Sequence, residues 1–196
     1  MRRLAASVLS VVAVATLALG LATPASAATA PVRPVDQVDL NRYTGQWFQL
    51  AAIPAVFEAQ CAKNVRAVYV KNADGTIGVT NTCATYLGIP STVKGKARVE
   101  NAPANSALNV SFVNFFGKQI YGKEANYLIF GLDPQYRWAL VGSSDHKTGF
   151  VLSRTVTLSG ADQLAIKRTI VANGFDLCSF EITKQDGGAQ QRSTLC

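Results

Sequence analysis

Histidine and methionine each occur once in 196 residues, and only 16% of the chain is charged. A Ser-His-Asp, Cys-His or histidine-rich metal site would have to be built on His146 alone. No C-x-x-C pair is present, so Cys61, Cys83, Cys178 and Cys196 are not spaced as zinc ligands. No G-x-S-x-G elbow surrounds a serine. The reading is therefore of a protein that is not an enzyme and carries no metal or cofactor. Lysine and arginine outnumber acids 19 to 12, but they are scattered, which argues against a nucleic-acid partner. What is abundant is apolar: 48% of residues are hydrophobic, which excludes intrinsic disorder and fits one packed domain.

Part of that apolar content lies at the start. Arg2 and Arg3 precede an apolar run from Leu4 to Ala22, and Ala25-Ser26-Ala27 supplies small residues in a signal-peptidase pattern. A membrane anchor is the alternative, since the run approaches the roughly 20 residues of a spanning helix. Thr16, Gly20, Thr23 and Pro24 interrupt it, so residues 1–27 read as a signal peptide cleaved after about Ala27. No cysteine follows the run, and a secreted protein without a lipid anchor is expected. Loss of Arg2 and Arg3 lowers the net charge from +7 to +5. An even cysteine count in an exported chain predicts two disulfides, with three connectivities open.

Residues 28–37 form a flexible lead, 38–184 a single domain and 185–196 a polar tail. Within the domain, short strands recur at 45–53, 63–71, 76–85, 92–100, 107–114, 125–132, 136–142 and 149–154, separated by turn residues such as Asn72-Ala73-Asp74-Gly75. Ser159 and Asp162 open a helix that Gly174 stops, with Leu164, Ala165, Ile166, Ile170 and Val171 at helical spacing. A short ninth strand follows at 179–184. This order fits a two-sheet sandwich or an all-β, eight-stranded antiparallel up-and-down barrel with one C-terminal helix. The barrel would leave room for a small ligand.

Three motifs occur in the order of the lipocalin family. Gly45-Gln46-Trp47 resembles its G-x-W entry to the first strand. Residues 132–141, with Asp133 and Tyr136, resemble the turn between its sixth and seventh strands. Arg154 stands where the family has an arginine after the eighth. The resemblance spans roughly 38–184 and is greatest to the bacterial outer-membrane lipoprotein branch and the apolipoprotein D branch. It implies that Gly45, Trp47, Asp133, Tyr136 and Arg154 close one end of the barrel, with the guanidinium over the indole. It also implies a tail tied to the barrel wall, favouring Cys196 bonded to Cys61 or Cys83, with Cys178 taking the other.

Alternation assigns the inward face. Val65, Ala67 and Tyr69 share it, as do Ile77, Val79 and Asn81, then Leu108, Val110 and Phe112. Parity from Arg154 adds Phe150 and Leu152, and parity from Trp47 adds Ala51 and Ile53. The expected ligand-binding set is Tyr69, Val79, Asn81, Val110, Phe112, Phe150, Leu152, Ala51 and Ile53, with Tyr69 and Asn81 fixing a polar head. For each the competing role is a packed core. The resemblance implies a secreted carrier of a small hydrophobic ligand such as a fatty acid, lysophospholipid or isoprenoid. The alternative is a protein-interaction or cell-envelope binding module, with Phe57, Phe115, Phe116 and Tyr121 placed for transient contact with a membrane or partner.

Overall fold

The computed structural model describes residues 30–196; the signal segment read at 1–27 lies outside the described residues. Eight antiparallel strands form the wall: β1 (Gly45–Ala52), β2 (Cys61–Lys71), β3 (Ile77–Thr85), β4 (Pro90–Val99), β5 (Ala107–Ser111), β8 (Tyr127–Leu132), β9 (Trp138–Gly142) and β10 (Gly149–Ser153). A small hairpin of β6 (Asn114–Phe115) and β7 (Lys118–Gln119) stands between β5 and β8. Pairing of β10 with β1, from Phe48↔Ser153 to Ala52↔Phe150, closes the sheet on itself. The fold is a closed barrel, not a sandwich.

Local chemistry sets these elements. In β2, Val65, Ala67 and Tyr69 are buried while Arg66 and Val70 are exposed and Val68 half-buried, the alternation of a half-buried strand. The turn into β3 has Gly75 at φ +80°, and Asp74 Oδ1 accepts from the Thr76 amide at 3.0 Å. A short helix α1 (Leu40–Tyr43) precedes β1; helix α2 (Gly160–Ala172) starts at Ser159, whose Oγ accepts from the Asp162 amide at 3.1 Å and donates to the Asp162 carboxylate at 2.7 Å. Of its five spaced apolar residues, only Ile166 and Ile170 are buried; Leu164 and Val171 remain exposed.

Two apolar cores result. The inner one holds Trp47, Tyr69, Val79, Ile129 and Leu152 inside the barrel. The outer one joins α2 to the sheet's outside face through Ile166, Ile170, Phe130, Trp138, Phe175 and Phe180. The two chain ends depart from expectation. Val35 and Val38 donate backbone hydrogen bonds to Ile129 and Ala104, so the lead is fastened. The last strand, β11 (Glu181–Ile182), pairs with β1 beyond the point where β1 and β2 part. Gln185, inside the expected polar tail, is buried there and donates to the carbonyls of Gln49 and Val65, both at 2.8 Å.

The disulfides join Cys61 to Cys83 and Cys178 to Cys196, which corrects the favoured cross-pairing of Cys196 with Cys61 or Cys83. The undistorted β2–β3 register puts Cys61 too far from Cys83, but β2 carries two bulges, between Cys61 and Lys63 and between Lys63 and Arg66. They shift the pairing until the two Cα atoms lie 5.6 Å apart, within disulfide reach. The Glu181↔Thr194 bridge turns the tail back, leaving Cys178 and Cys196 5.0 Å apart.

Candidate ligand-binding site

One end of the barrel is shut. The Arg154 guanidinium lies 3.8 Å from the Trp47 ring centroid. It also donates to the carbonyls of Gln46 and Arg42 at 2.7 Å and of Thr44 at 2.9 Å. Trp47 is fully buried, and its indole N–H donates to the Tyr43 carbonyl at 2.8 Å. Gly45 belongs here for two reasons: its φ is +93°, and a Cβ would sit 3.3 Å from the Arg154 nitrogen. Asp133 holds the β8–β9 turn by accepting from the Gln135 and Arg137 amides. Tyr136, at φ +61°, accepts from the Asp39 amide through its hydroxyl. The five closing residues therefore assemble at one end.

Above this plug lies an enclosed cavity of about 20 Å³, walled by Tyr43, Tyr69, Val79, Leu108, Val110 and Tyr127 among others. By that measure it has room for roughly one water molecule. The hydroxyls of Tyr43 and Tyr69 each lie 2.9 Å from that of Tyr127. Three hydroxyls carry three protons, and the two contacts use two of them. One O–H remains without an acceptor among the described residues. Burial pushes the Tyr69 hydroxyl up to about 12 and those of Tyr43 and Tyr127 well above the ordinary 10. They are neutral donors at physiological pH. Farther up the same wall, Asn81, opposite Ala67, has a buried Oδ1 without a hydrogen-bond partner.

The inferred ligand set divides. Tyr69, Val79, Val110, Phe150 and Leu152 pack in the inner cluster. Phe112 lies nearer the open mouth, 41% exposed, where its ring fills the place a Cβ on Gly95 would need. Ala51 and Ile53 do not face the interior, which corrects their assignment. A bulge between Gln49 and Ala51 reverses the strand's parity, so both pack in the outer core beneath α2. Tyr43 and Tyr127 were missed. The segment Tyr127–Leu132 is apolar on both faces, so alternation gives no inward parity there. Gln49 and Glu58, joined by a 2.9 Å hydrogen bond, were missed too. His146 is used structurally: its Nε2 bonds the Asn173 carbonyl at 2.9 Å and its ring packs edge-on to Phe175.

The open end differs in character. Its loops expose Val56 and Phe57, then Tyr86, Leu87 and Ile89, then Val113, Phe115, Phe116 and Ile120. Val56, Leu87 and Phe116 are 92%, 84% and 94% exposed.

A lipocalin-like domain profile matches residues 38–185. The outer membrane lipoprotein Blc of Escherichia coli K12 is 35% identical over 182 residues, covering 91% of this chain and 98% of that protein. Mouse apolipoprotein D is 33% identical over 164 residues, covering 79% and 82%. Insecticyanin from the tobacco hornworm Manduca sexta shares the fold, with a TM-score of 0.61 at 17% identity, covering 78% of this chain and 84% of that one. The expectation of a plainly secreted chain with no lipid anchor is overturned, because the Blc relatives of E. coli and Vibrio cholerae are outer membrane lipoproteins. That expectation rested on one absent cysteine behind the apolar run. Barrel, closing residues and profile agree: the chain belongs to the lipocalin family, which binds small hydrophobic ligands.

Proposed function

We propose that the protein carries a small amphiphile of the fatty acid, lysophospholipid or isoprenoid type, with its polar end at the tyrosine floor and its apolar body toward the mouth, the inner side chains moving apart to admit it because the cavity otherwise has room for about one water. The observation that carries this reading is the unspent tyrosine proton, a buried neutral donor at the base of an almost wholly apolar cavity. Such a donor costs free energy unless an acceptor reaches it, and a carboxylate, phosphate or carbonyl oxygen supplies one. The role is binding and not catalysis. Native mass spectrometry of the purified protein tests it: a lipid mass that delipidation removes is expected. Tyr69→Phe and Phe150→Ala should each weaken fatty-acid probe binding several-fold while the protein stays folded, with Phe150→Ala lowering the melting temperature and Tyr69→Phe changing it little. A protein that is empty as purified and indifferent to such probes would instead be an interaction module.

A specific observation supports contact with a membrane as the way ligand is loaded. The exposed apolar tips of three loops surround the same mouth, and Lys118 and Lys123 stand among them. Apolar tips ringed by basic groups suit an anionic bilayer surface. Flotation with anionic vesicles is expected to carry the protein upward, and salt to weaken the association.

A further inference from the structure

A second cavity, of about 120 Å³, lies on the open-end half where β1 and β2 part. It shares no lining residue with the tyrosine-floored cavity. Its walls come from Pro54, Ala55, Glu58 and Ala59, the end of β1, Cys61 and Val65 of β2, Tyr86, residues 181–183 and Arg192.

Its chemistry centres on Glu58. This residue ends a single 3-10 turn (Val56–Glu58) and is half-buried. Its Oε2 accepts one hydrogen bond, from Gln49 Nε2 at 2.9 Å, and its carboxylate has no other partner among the described residues. Gln49 cannot turn away, because Nε2 also donates to Thr183 Oγ1 at 3.2 Å and its backbone oxygen is held by Gln185. A carboxylate offers about four acceptor positions, and one neutral amide does not offset its loss of water. Burial accordingly raises the Glu58 carboxyl above its ordinary range.

The surrounding charge leaves the acid unneutralised. Glu58 and Glu181 face the cavity against one cation, Arg192. The Arg192 guanidinium donates to the Cys61 carbonyl at 2.8 Å and sits 3.8 Å from Glu181; it forms no hydrogen bond or ion pair with Glu58 among the described residues, and its charge offsets the effect of burial on that carboxyl only in part. No lysine lines the space.

We infer that this cavity receives the cationic head of a small amphiphile, an alkylammonium group whose N–H donors meet Glu58 and whose first carbons meet Ala52, Ala55, Val65 and Ile182. This site goes beyond the carrier reading and does not depend on it.

Calorimetric titration of the protein with octylammonium, octanol and octanoate tests the inference. In the Tyr69→Phe background, which removes a hydroxyl from the barrel floor, octylammonium should bind at least tenfold more tightly than octanol, and octanoate no more tightly than octanol. Glu58→Gln should abolish the tenfold preference and leave octanol unchanged. Ala55→Trp fills the cavity while keeping every charge, and should abolish the preference as well. Equal binding of the three ligands, or a preference that survives Glu58→Gln, overturns the inference. A preference lost in Tyr69→Phe but kept in Glu58→Gln would place the amine inside the barrel, overturning the second site while the carrier reading stands.

Discussion

The two ends of this barrel follow opposite rules. At the closed end the large side chains are tied down: Arg154 stacks on Trp47 while donating to four carbonyls, and Asp133 and Tyr136 fasten neighbouring turns. At the open end Val56, Leu87 and Phe116 stand almost fully in water, while Glu58 has a single hydrogen-bond partner among the described residues. One continuous sheet thus concentrates stability at one end and leaves unmet binding capacity at the other. Such a division allows the mouth to change without loosening the floor.

The largest effect should come from the floor. Trp47→Ala removes a fully buried indole, worth about 3–5 kcal/mol, and should lower the melting temperature by on the order of 10 °C in a calorimetric scan. An unchanged melting temperature would remove the basis of the comparison. Alkali should act next. The three buried tyrosines have hydroxyls raised above those of the unfolded chain, so the stability they contribute is full below pH 10. For Tyr69 it is lost as the pH rises through about 12. Tyrosinate absorbance from these residues should appear together with loss of the near-ultraviolet dichroism, not before it.

Smaller is the acid side. Hydrogen bonding from Arg137 holds the Asp133 carboxyl below its usual range. Its contribution is present above the unfolded carboxylate value and lost as the pH falls through the folded one. Asp133→Asn should cost about 1 kcal/mol at neutral pH and flatten the acid limb of a stability profile. The smallest effect on folding should come from the mouth: Leu87→Ser with Phe116→Ser should stay within about 0.5 kcal/mol of the parent, yet markedly reduce vesicle flotation. A large loss of stability there would show that the apolar tips serve the fold.

The strand order and most of the inner wall were legible because β2 and β3 each have one clear polar face and parity from Arg154 oriented β10; the closing residues came from the lipocalin resemblance. The bulges were not legible. They are backbone insertions without a residue signature in Gln49-Leu50-Ala51 or in Cys61–Arg66, and each shifts the parity or pairing beyond it. That one cause accounts for Ala51 and Ile53 facing the helix and for Cys61 reaching Cys83. The tyrosine floor escaped notice because β8 is apolar on both sides. Glu58 did so because a loop carboxylate looks solvated until the C-terminal segment is seen folded beside it.

That segment also sets an order of events. The seam between β1 and β2 at the open end is sealed by β11 and by the amide of Gln185, which come from the last part of the chain. The barrel itself closes through pairs such as Phe48↔Ser153, more than a hundred positions apart. A chain emerging N-terminus first can complete the β2–β3 hairpin early, with the Cys61–Cys83 link across it. It cannot seal its wall until synthesis is nearly finished. Until then the inner faces of β1 and β2 lie open, so the nascent protein must be shielded, or folded quickly, once synthesis ends.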